Sequence, residues 1–262
     1  MISLERRDGR PLRIGHRGAA ALAPENTLRS FRAAVEAGVD LIEFDVLDLR
    51  SGELVIAHSN DLAEVSHGAA RGTVRERSLE SLREVCPELP TLDEALGFFV
   101  DEAGETGLHL DLKARGAEDH VVDALRRFGV QERTFVSSFH FRPVRRLARV
   151  APGIRTGITV PRSVLGITER GRGAPIARAA LGLLRRVTPL ASPLALSMSH
   201  ATVLVLHHSL VGASAVRRAH TRGAAVVVWT VDDPRELARV ADAGVDAVVT
   251  NDPRIFASTL ET

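Results

Sequence analysis

The stretch Leu41-Ile42-Glu43-Phe44-Asp45-Val46-Leu47 is apolar except for two acids spaced two positions apart. In a strand, residues i and i+2 point to the same face. Both carboxylates therefore project together from a segment that otherwise reads as core. Two like charges in a low-dielectric site are costly unless a cation or a shared proton compensates. The run thus implies a buried strand and, on one of its faces, a place for a cation.

Working outward, similar short apolar runs recur at Leu12–His16, Leu108–Lys113, Thr134–Ser138, Ile154–Val160, Thr202–His207, Ala225–Val231 and Asp246–Thr250. Between most of them lie stretches of 3.6-residue period, among them Glu118–Phe128, Phe141–Val150, Ala213–Arg222 and Pro234–Ala243. Thr91-Leu92-Asp93-Glu94 has the pattern of a capping box. Ala37–Asp40 and Ala243–Asp246 both read Ala-Gly-Val-Asp, a glycine stop that leads into a strand. Eight strands with intervening helices in 262 residues predict an α/β fold, a (β/α)8 TIM barrel forming one domain over residues 1–262. The main competitor, a doubly wound sheet, is weakened because no Gly-x-Gly-x-x-Gly follows the first strand.

Two segments break the rhythm. Gly52–Arg77 reads as a hairpin and short lid after strand two, and Arg162–Pro193 as a longer loop insertion between strands five and six. Within the latter, Ile176–Val187 reads as a packed amphipathic helix.

Bulk properties narrow the function. Net charge is +1, so no global charge draws the chain to nucleic acid or an acidic membrane. The single cysteine, Cys86, excludes an internal disulfide and a cysteine metal cluster. Met1 to Gly18 contains no apolar signal-peptide core, and no apolar run approaches the ~20 residues of a membrane span. A cytoplasmic location is the expectation; the sequence is silent on oligomeric state. Of 34 basic residues, one is lysine, Lys113. It closes Leu110-Asp111-Leu112-Lys113, a second strand with polar residues at i and i+2. A compact ammonium is not interchangeable with a planar guanidinium.

Active sites of such barrels lie at the C-terminal strand ends, and polar residues gather there. Strand one ends in His16-Arg17-Gly18, the hairpin in His58, strand four in Ser137-Ser138, strand seven in Trp229-Thr230 and strand eight in Thr250-Asn251-Asp252. Glu43, Asp45 and Asp111 are hard oxygen donors suited to Mg²⁺ or Ca²⁺, with Mn²⁺ also admissible. His16 and His58 suit proton transfer near neutral pH, and Arg17 and Lys113 supply positive charge. The set suits a phosphorus ester. His207-His208, His140 and His200 read as structural, and His67, His109, His120 and His220 as surface or strand-flank residues.

Read together, His16-Arg17-Gly18, Pro24-Glu25-Asn26-Thr27, Glu43-Phe44-Asp45-Val46, Leu54–His58, Asp111-Leu112-Lys113, Val228–Asp232 and Gly244–Pro253 resemble the glycerophosphodiester phosphodiesterases across nearly the whole chain. That family is related to the phosphatidylinositol-phosphodiesterase-like barrels and to sphingomyelinase D. The resemblance implies metal-dependent hydrolysis of a glycerophosphodiester to glycerol 3-phosphate and an alcohol. It assigns His16 and His58 as the acid/base pair, Glu43, Asp45 and Asp111 as metal ligands, Arg17 and Lys113 as phosphate holders, and Trp229 as a pocket wall. Glu25 and Asn26 brace the loop after strand one. Two departures stand out. The family's His-Asp is His58-Ser59-Asn60-Asp61 here, which makes Asp61 the candidate replacement acid. Its Glu-x-Lys is Asp111-Leu112-Lys113, as in sphingomyelinase D. The small-molecule substrate is a glycerophosphodiester or, in an alternative reading, a lysolipid cleaved by a lysophospholipase D-type reaction that forms a cyclic phosphate. A non-catalytic phosphate-binding barrel is the alternative of another class.

Overall fold

The structure, a computed structural model, describes residues 1–160 and 175–259. Strands β1 (Leu12–Gly15) and β2 (Leu41–Asp48) are joined by helix α1 (Leu28–Glu36). A short strand β3 (Leu54–Ile56) folds back on β2 as the expected hairpin, pairing antiparallel with it. Helices α2 (Leu62–Val65), α3 (Leu79–Val85) and α4 (Leu92–Asp101) follow. Strands β4 (Gly107–Leu112), β5 (Thr134–Ser138) and β6 (Arg155–Val160) alternate with α5 (Glu118–Arg127) and α6 (Phe141–Val150). Helix α7 (Pro175–Ser199) precedes β7 (Val203–His207), α8 (Ala213–His220), β8 (Ala225–Trp229), α9 (Pro234–Asp242) and β9 (Ala247–Thr250).

The spatial order is β1-β9-β8-β7-β6-β5-β4-β2-β3, and β1 also pairs with β2. Eight parallel strands therefore close into a barrel, and β3 lies outside the ring. Each of the eight expected strands is present to within two residues.

Local signals account for the boundaries. Glu94 N–H donates to Thr91 Oγ1 at 3.1 Å, and Thr91 N–H donates to Glu94 Oε2 at 2.7 Å, which completes the capping box that opens α4. Such a cap contributes about 1 kcal/mol. Outside the barrel wall, Phe31, Phe44, Phe98 and Phe99 form a cluster with ring centroids 5.4 to 5.9 Å apart.

Inside the barrel, strand alternation stacks apolar residues below polar ones. Leu12 and Ile14 lie beneath His16, Leu41 beneath Glu43, Phe135 beneath Ser137, Val227 beneath Trp229 and Val249 beneath Asn251; the apolar members form one buried cluster. That floor excludes water from below and leaves a polar mouth at the C-terminal ends.

The insertion lies between β6 and β7, the fifth and sixth barrel strands, and its helix is longer than the expected Ile176–Val187. From Pro175 onward it is a 25-residue helix; residues 162–174 lie outside the described residues. Thr188, Ser192, Ala195, Leu196 and Ser199 are buried on its packed face, while Leu183, Val187, Leu190, Leu194 and Met198 are exposed.

Candidate active site

Register brings the acids together. Glu43 pairs with His109, and Asp45 with Asp111, across β2 and β4, while Asp111 pairs with Ser137 across β4 and β5. Paired residues share a face, so all five point into the lumen. One carboxylate oxygen from each of Glu43, Asp45 and Asp111 lies within 4.8 Å of the others, and all three residues are buried.

Lys113 extends from β4 into the same space. Its Nζ lies 2.6 Å from Asp45 Oδ1 and 2.7 Å from Asp111 Oδ2. Burial works against this ammonium, but Asp111, Asp45 and Glu43 outweigh it and raise its pKa above the ordinary lysine value. Burial also penalises the Asp45 carboxylate, yet Lys113, His58 and Arg17 hold it well below the usual range. Glu43 goes the other way: burial and then the Asp45 charge push it well above the usual range.

Arg17 sits at the turn after β1. Its φ is +51° and that of Gly18 is +87°. A Cβ on Gly18 would come within 2.3 Å of Ser30 Oγ, so glycine is required there. The turn aims the guanidinium inward. Nη1 donates to Glu25 Oε1 at 2.7 Å and to Oε2 at 2.8 Å, Nε lies 3.2 Å from Asp45 Oδ2, and Nη2 lies 3.2 Å from His58 Nε2. Asn26 does more than brace its loop: Nδ2 donates to Asp45 Oδ2 at 2.8 Å, and Asp45 N–H donates to Asn26 Oδ1 at 3.2 Å.

The two histidines flank the acids. His16 Nε2 is 3.9 Å from Glu43 Oε2, and His58 Nδ1 is 3.4 Å from Asp45 Oδ2. On its far side, His16 Nδ1 meets Asn251 Oδ1 at 2.6 Å, while Asn251 Nδ2 donates to Asp232 Oδ2 at 2.7 Å. A carboxylate only accepts, so the amide oxygen must face the ring and His16 Nδ1 must carry the proton. Nε2 then presents a lone pair to the cavity. Burial, followed by the Arg17 charge, lowers the His16 pKa to about 4. The imidazole is therefore neutral at neutral pH, which suits a general base.

Asp61 does not take up the role of a partner to His58. Its Oδ1 accepts from Ala63 N–H at 2.9 Å as the N-cap of α2. Asp45 occupies that place beside the ring. His109 is neither a surface nor a flank residue: it is 3% exposed and stacks on Phe135 at 3.9 Å. Its Nε2 meets Ser137 Oγ at 2.9 Å, and that hydroxyl donates to Asp111 Oδ1 at 2.7 Å. The signal that could have found it is its position two residues before Asp111. Asp232 closes the Val228–Asp232 segment of the resemblance, but its role had no local signal, since it lies nineteen residues from the asparagine that it orients.

Over this floor lies a cavity of about 150 Å³ lined by His16, Arg17, Glu43, His58, Asp111, Lys113, Phe139 and Trp229, among others. Trp229 meets Phe139 edge-on at 5.8 Å, and its indole N–H has no acceptor among the described residues. Glu43, Asp45 and Asp111 form a buried all-oxygen donor set beside the cavity, and that chemistry fits one hard divalent cation, whose charge would also favour an ionised Glu43.

Comparison with known proteins agrees. Residues 16–255 match the Glycerophosphoryl diester phosphodiesterase family. A glycerophosphodiester phosphodiesterase of Caldanaerobacter subterraneus subsp. tengcongensis is 25% identical over 256 residues, covering 92% of this chain and 93% of that protein. Two solved structures share the fold. One is an Oleispira antarctica phosphodiesterase in complex with the product sn-glycerol-3-phosphate (24% identity, TM-score 0.74, 97% of this chain and 98% of that one). The other is the glycerophosphodiester phosphodiesterase of Thermotoga maritima (22% identity, TM-score 0.70, 95% and 98%).

Proposed function

The chain belongs to the glycerophosphoryl diester phosphodiesterase family, and from that premise we propose that it hydrolyses glycerophosphodiesters to glycerol 3-phosphate and an alcohol with His16 as general base and His58 as general acid. The observation that carries the reading is the buried Glu43–Asp45–Asp111 triad with an imidazole on either side. The solved relative with glycerol 3-phosphate in its site supports this choice of product.

Glu43, Asp45 and Asp111 would hold the divalent cation, Mg²⁺, Ca²⁺ or Mn²⁺. When bound, it polarises a phosphoryl oxygen and neutralises charge on the phosphate. Arg17 and Lys113 add fixed positive charge for the remaining phosphate oxygens. His16 Nε2 takes the proton of the attacking hydroxyl, which is the substrate's own glycerol hydroxyl or water. The intramolecular route gains from high effective concentration. His58 gives a proton to the departing alkoxide from its doubly protonated form, with Arg17 Nη2, which otherwise donates to Nε2, turned to the phosphate; Asp45 beside Nδ1 keeps the ring aimed. Trp229 and Phe139 form the apolar wall on which the glycerol carbons rest.

A lysolipid is the second substrate to consider, because an apolar groove of about 270 Å³ lies beside the catalytic rim, lined by Phe141, Val160, Leu184 and Leu206. The test is a product analysis. Glycerophosphocholine, glycerophosphoethanolamine and lysophosphatidylcholine are each incubated with the protein in chelator and in added divalent cation. Metal-stimulated glycerol 3-phosphate from the first two supports the primary reading. Cyclic phosphate from the lysolipid, with no turnover of the other two, replaces it with the second.

A further inference from the structure

The net charge of +1 conceals a strong segregation. Residues 133–231 contain fifteen arginines and one acid, Glu169; the rest of the chain carries the compensating negative charge. This segment builds one side of the barrel, where α7 packs between α6 and α8. Arg142, Arg145 and Arg149 on α6, Arg186 on α7, and Arg217 and Arg218 on α8 are all exposed. None of these six pairs with a carboxylate among the described residues. On α6 Arg146 does pair, with Asp119, and elsewhere exposed arginines such as Arg32 and Arg127 pair with Glu102 at 2.7 Å and Asp93 at 2.6 Å.

Between these arginines α7 carries apolar residues on both faces, with Ala195 and Leu196 buried in the core. Its packed face buries the hydroxyl residues Thr188, Ser192 and Ser199, each donating to a carbonyl four residues back, at 2.7 Å, 2.8 Å and 2.7 Å. Its outer face presents Leu183 (62% exposed), Val187 (45%), Leu190 (64%), Leu194 (61%) and Met198 (56%). Spacings of four, three, four and four residues place these five on one stripe. A helix whose outer face met only water would carry polar residues there, and contiguous apolar stripes on this scale mark interaction sites.

The chemistry selects the occupant. A second copy would bring one arginine field against another, which is repulsive. Single-stranded nucleic acid needs aromatic stacking platforms, and Phe141 is the one exposed aromatic beside the stripe among the described residues. An apolar stripe flanked by arginines with no carboxylate partner among the described residues matches the boundary between acyl chains and anionic headgroups. No helix among the described residues is long and apolar enough to cross a membrane, so the fit is to a helix lying in the interface plane.

We propose that the face formed by α6, α7 and α8 docks on an anionic lipid surface, with the α7 stripe entering the headgroup–acyl boundary and the arginines binding headgroup phosphates. Arg185 Nε donates to Ser209 O at 2.5 Å, just beyond the end of β7. The stripe therefore starts level with the catalytic rim, which brings the cavity close to the surface from which glycerophosphodiesters are released.

The experiment is sedimentation of the whole protein with vesicles of phosphatidylcholine alone or of phosphatidylcholine with phosphatidylglycerol, at low and high salt. Binding to the anionic vesicles is expected, roughly tenfold or more above the neutral ones and weakened by salt. Leu190→Asp with Leu194→Asp, and separately Arg142→Glu with Arg145→Glu, should each reduce it at least about tenfold while turnover of soluble glycerophosphocholine stays unchanged. The proposal is overturned by any of four outcomes: no binding of the wild type to anionic vesicles; undiminished binding of both variants; a wild-type dimer in light scattering that the leucine variant makes monomeric; or single-stranded RNA bound as tightly as the vesicles.

Discussion

Asn251 presents its amide oxygen to His16 Nδ1 at 2.6 Å, and the orientation of that amide is set from behind by Asp232. The pair decides which ring nitrogen of His16 is free to accept a proton. Asn251→Ala removes that control and leaves the ring free to rotate or change tautomer. We expect kcat/KM on glycerophosphocholine to fall by about ten- to a hundredfold, a part of what general acid–base catalysis supplies, with an unchanged circular dichroism spectrum. Wild-type kinetics in this variant would show that His16 is not held through Nδ1.

A second relay runs from His109 through Ser137 to Asp111. Ser137→Ala leaves Asp111 Oδ1 without its 2.7 Å donor and frees the short carboxylate to turn. Groups that orient a ligand typically change metal affinity by about 10–100-fold. Calorimetric titration of Ca²⁺ or Mn²⁺ should show a loss in that range. An unchanged affinity would place the cation away from Asp111.

Lys113 bridges Asp45 and Asp111, the same carboxylates that would take up a metal. Lys113→Met strands two buried charges. Removing one partner of a buried ion pair costs about 3–5 kcal/mol, so in chelator the variant should melt well below the wild type. Added divalent cation should recover more of the melting temperature in the variant than in the wild type. A variant as stable as wild type in chelator would contradict the pairing.

Burial lowers the pKa of His109 to about 3 and, together with Arg17, that of His16 to about 4. In the unfolded chain both return to about 6.5. Below that pH the unfolded state binds more protons, so these groups make stability fall as pH drops from about 6.5 toward 4, by up to about 1.4 kcal/mol per pH unit for each. Glu43, raised by burial, acts in the opposite sense. The diagnostic is therefore the difference between wild type and His109→Asn in urea unfolding at pH 7, 6 and 5: the variant should lose less stability on acidification. Parallel curves would mean that His109 is not buried as a neutral ring.

The barrel was legible because its signals are periodic. Apolar runs separated by helical stretches repeat eight times, and the i, i+2 rule alone aims Glu43 with Asp45, and Asp111 with Lys113, into one lumen. The same rule applies to His109, two residues before Asp111, yet a histidine among leucines was expected at a surface or strand flank, and only Ser137 beside it reveals its place. Partner choices at loops were not legible. Arg17 was expected at the phosphate, and its guanidinium also ties together Glu25, Asp45 and His58, a geometry that depends on two consecutive positive-φ residues. Asp61 was the candidate to replace the acid that usually adjoins the second histidine, although the Asp-Leu-Ala-Glu that it opens is equally a helix start. In α7, the amphipathic period over Ile176–Val187 was legible, but not that the helix runs on to Ser199 with Leu190, Leu194 and Met198 exposed.

The most direct test of the central claim is the rate at which chelator-treated protein releases glycerol 3-phosphate from glycerophosphocholine as one divalent cation is titrated back, compared between wild type and Asp111→Asn. The account predicts negligible release without metal, saturable recovery in the wild type, and recovery in Asp111→Asn that is lower or needs much higher metal. Full activity in chelator, or identical metal titrations for the two proteins, would contradict it.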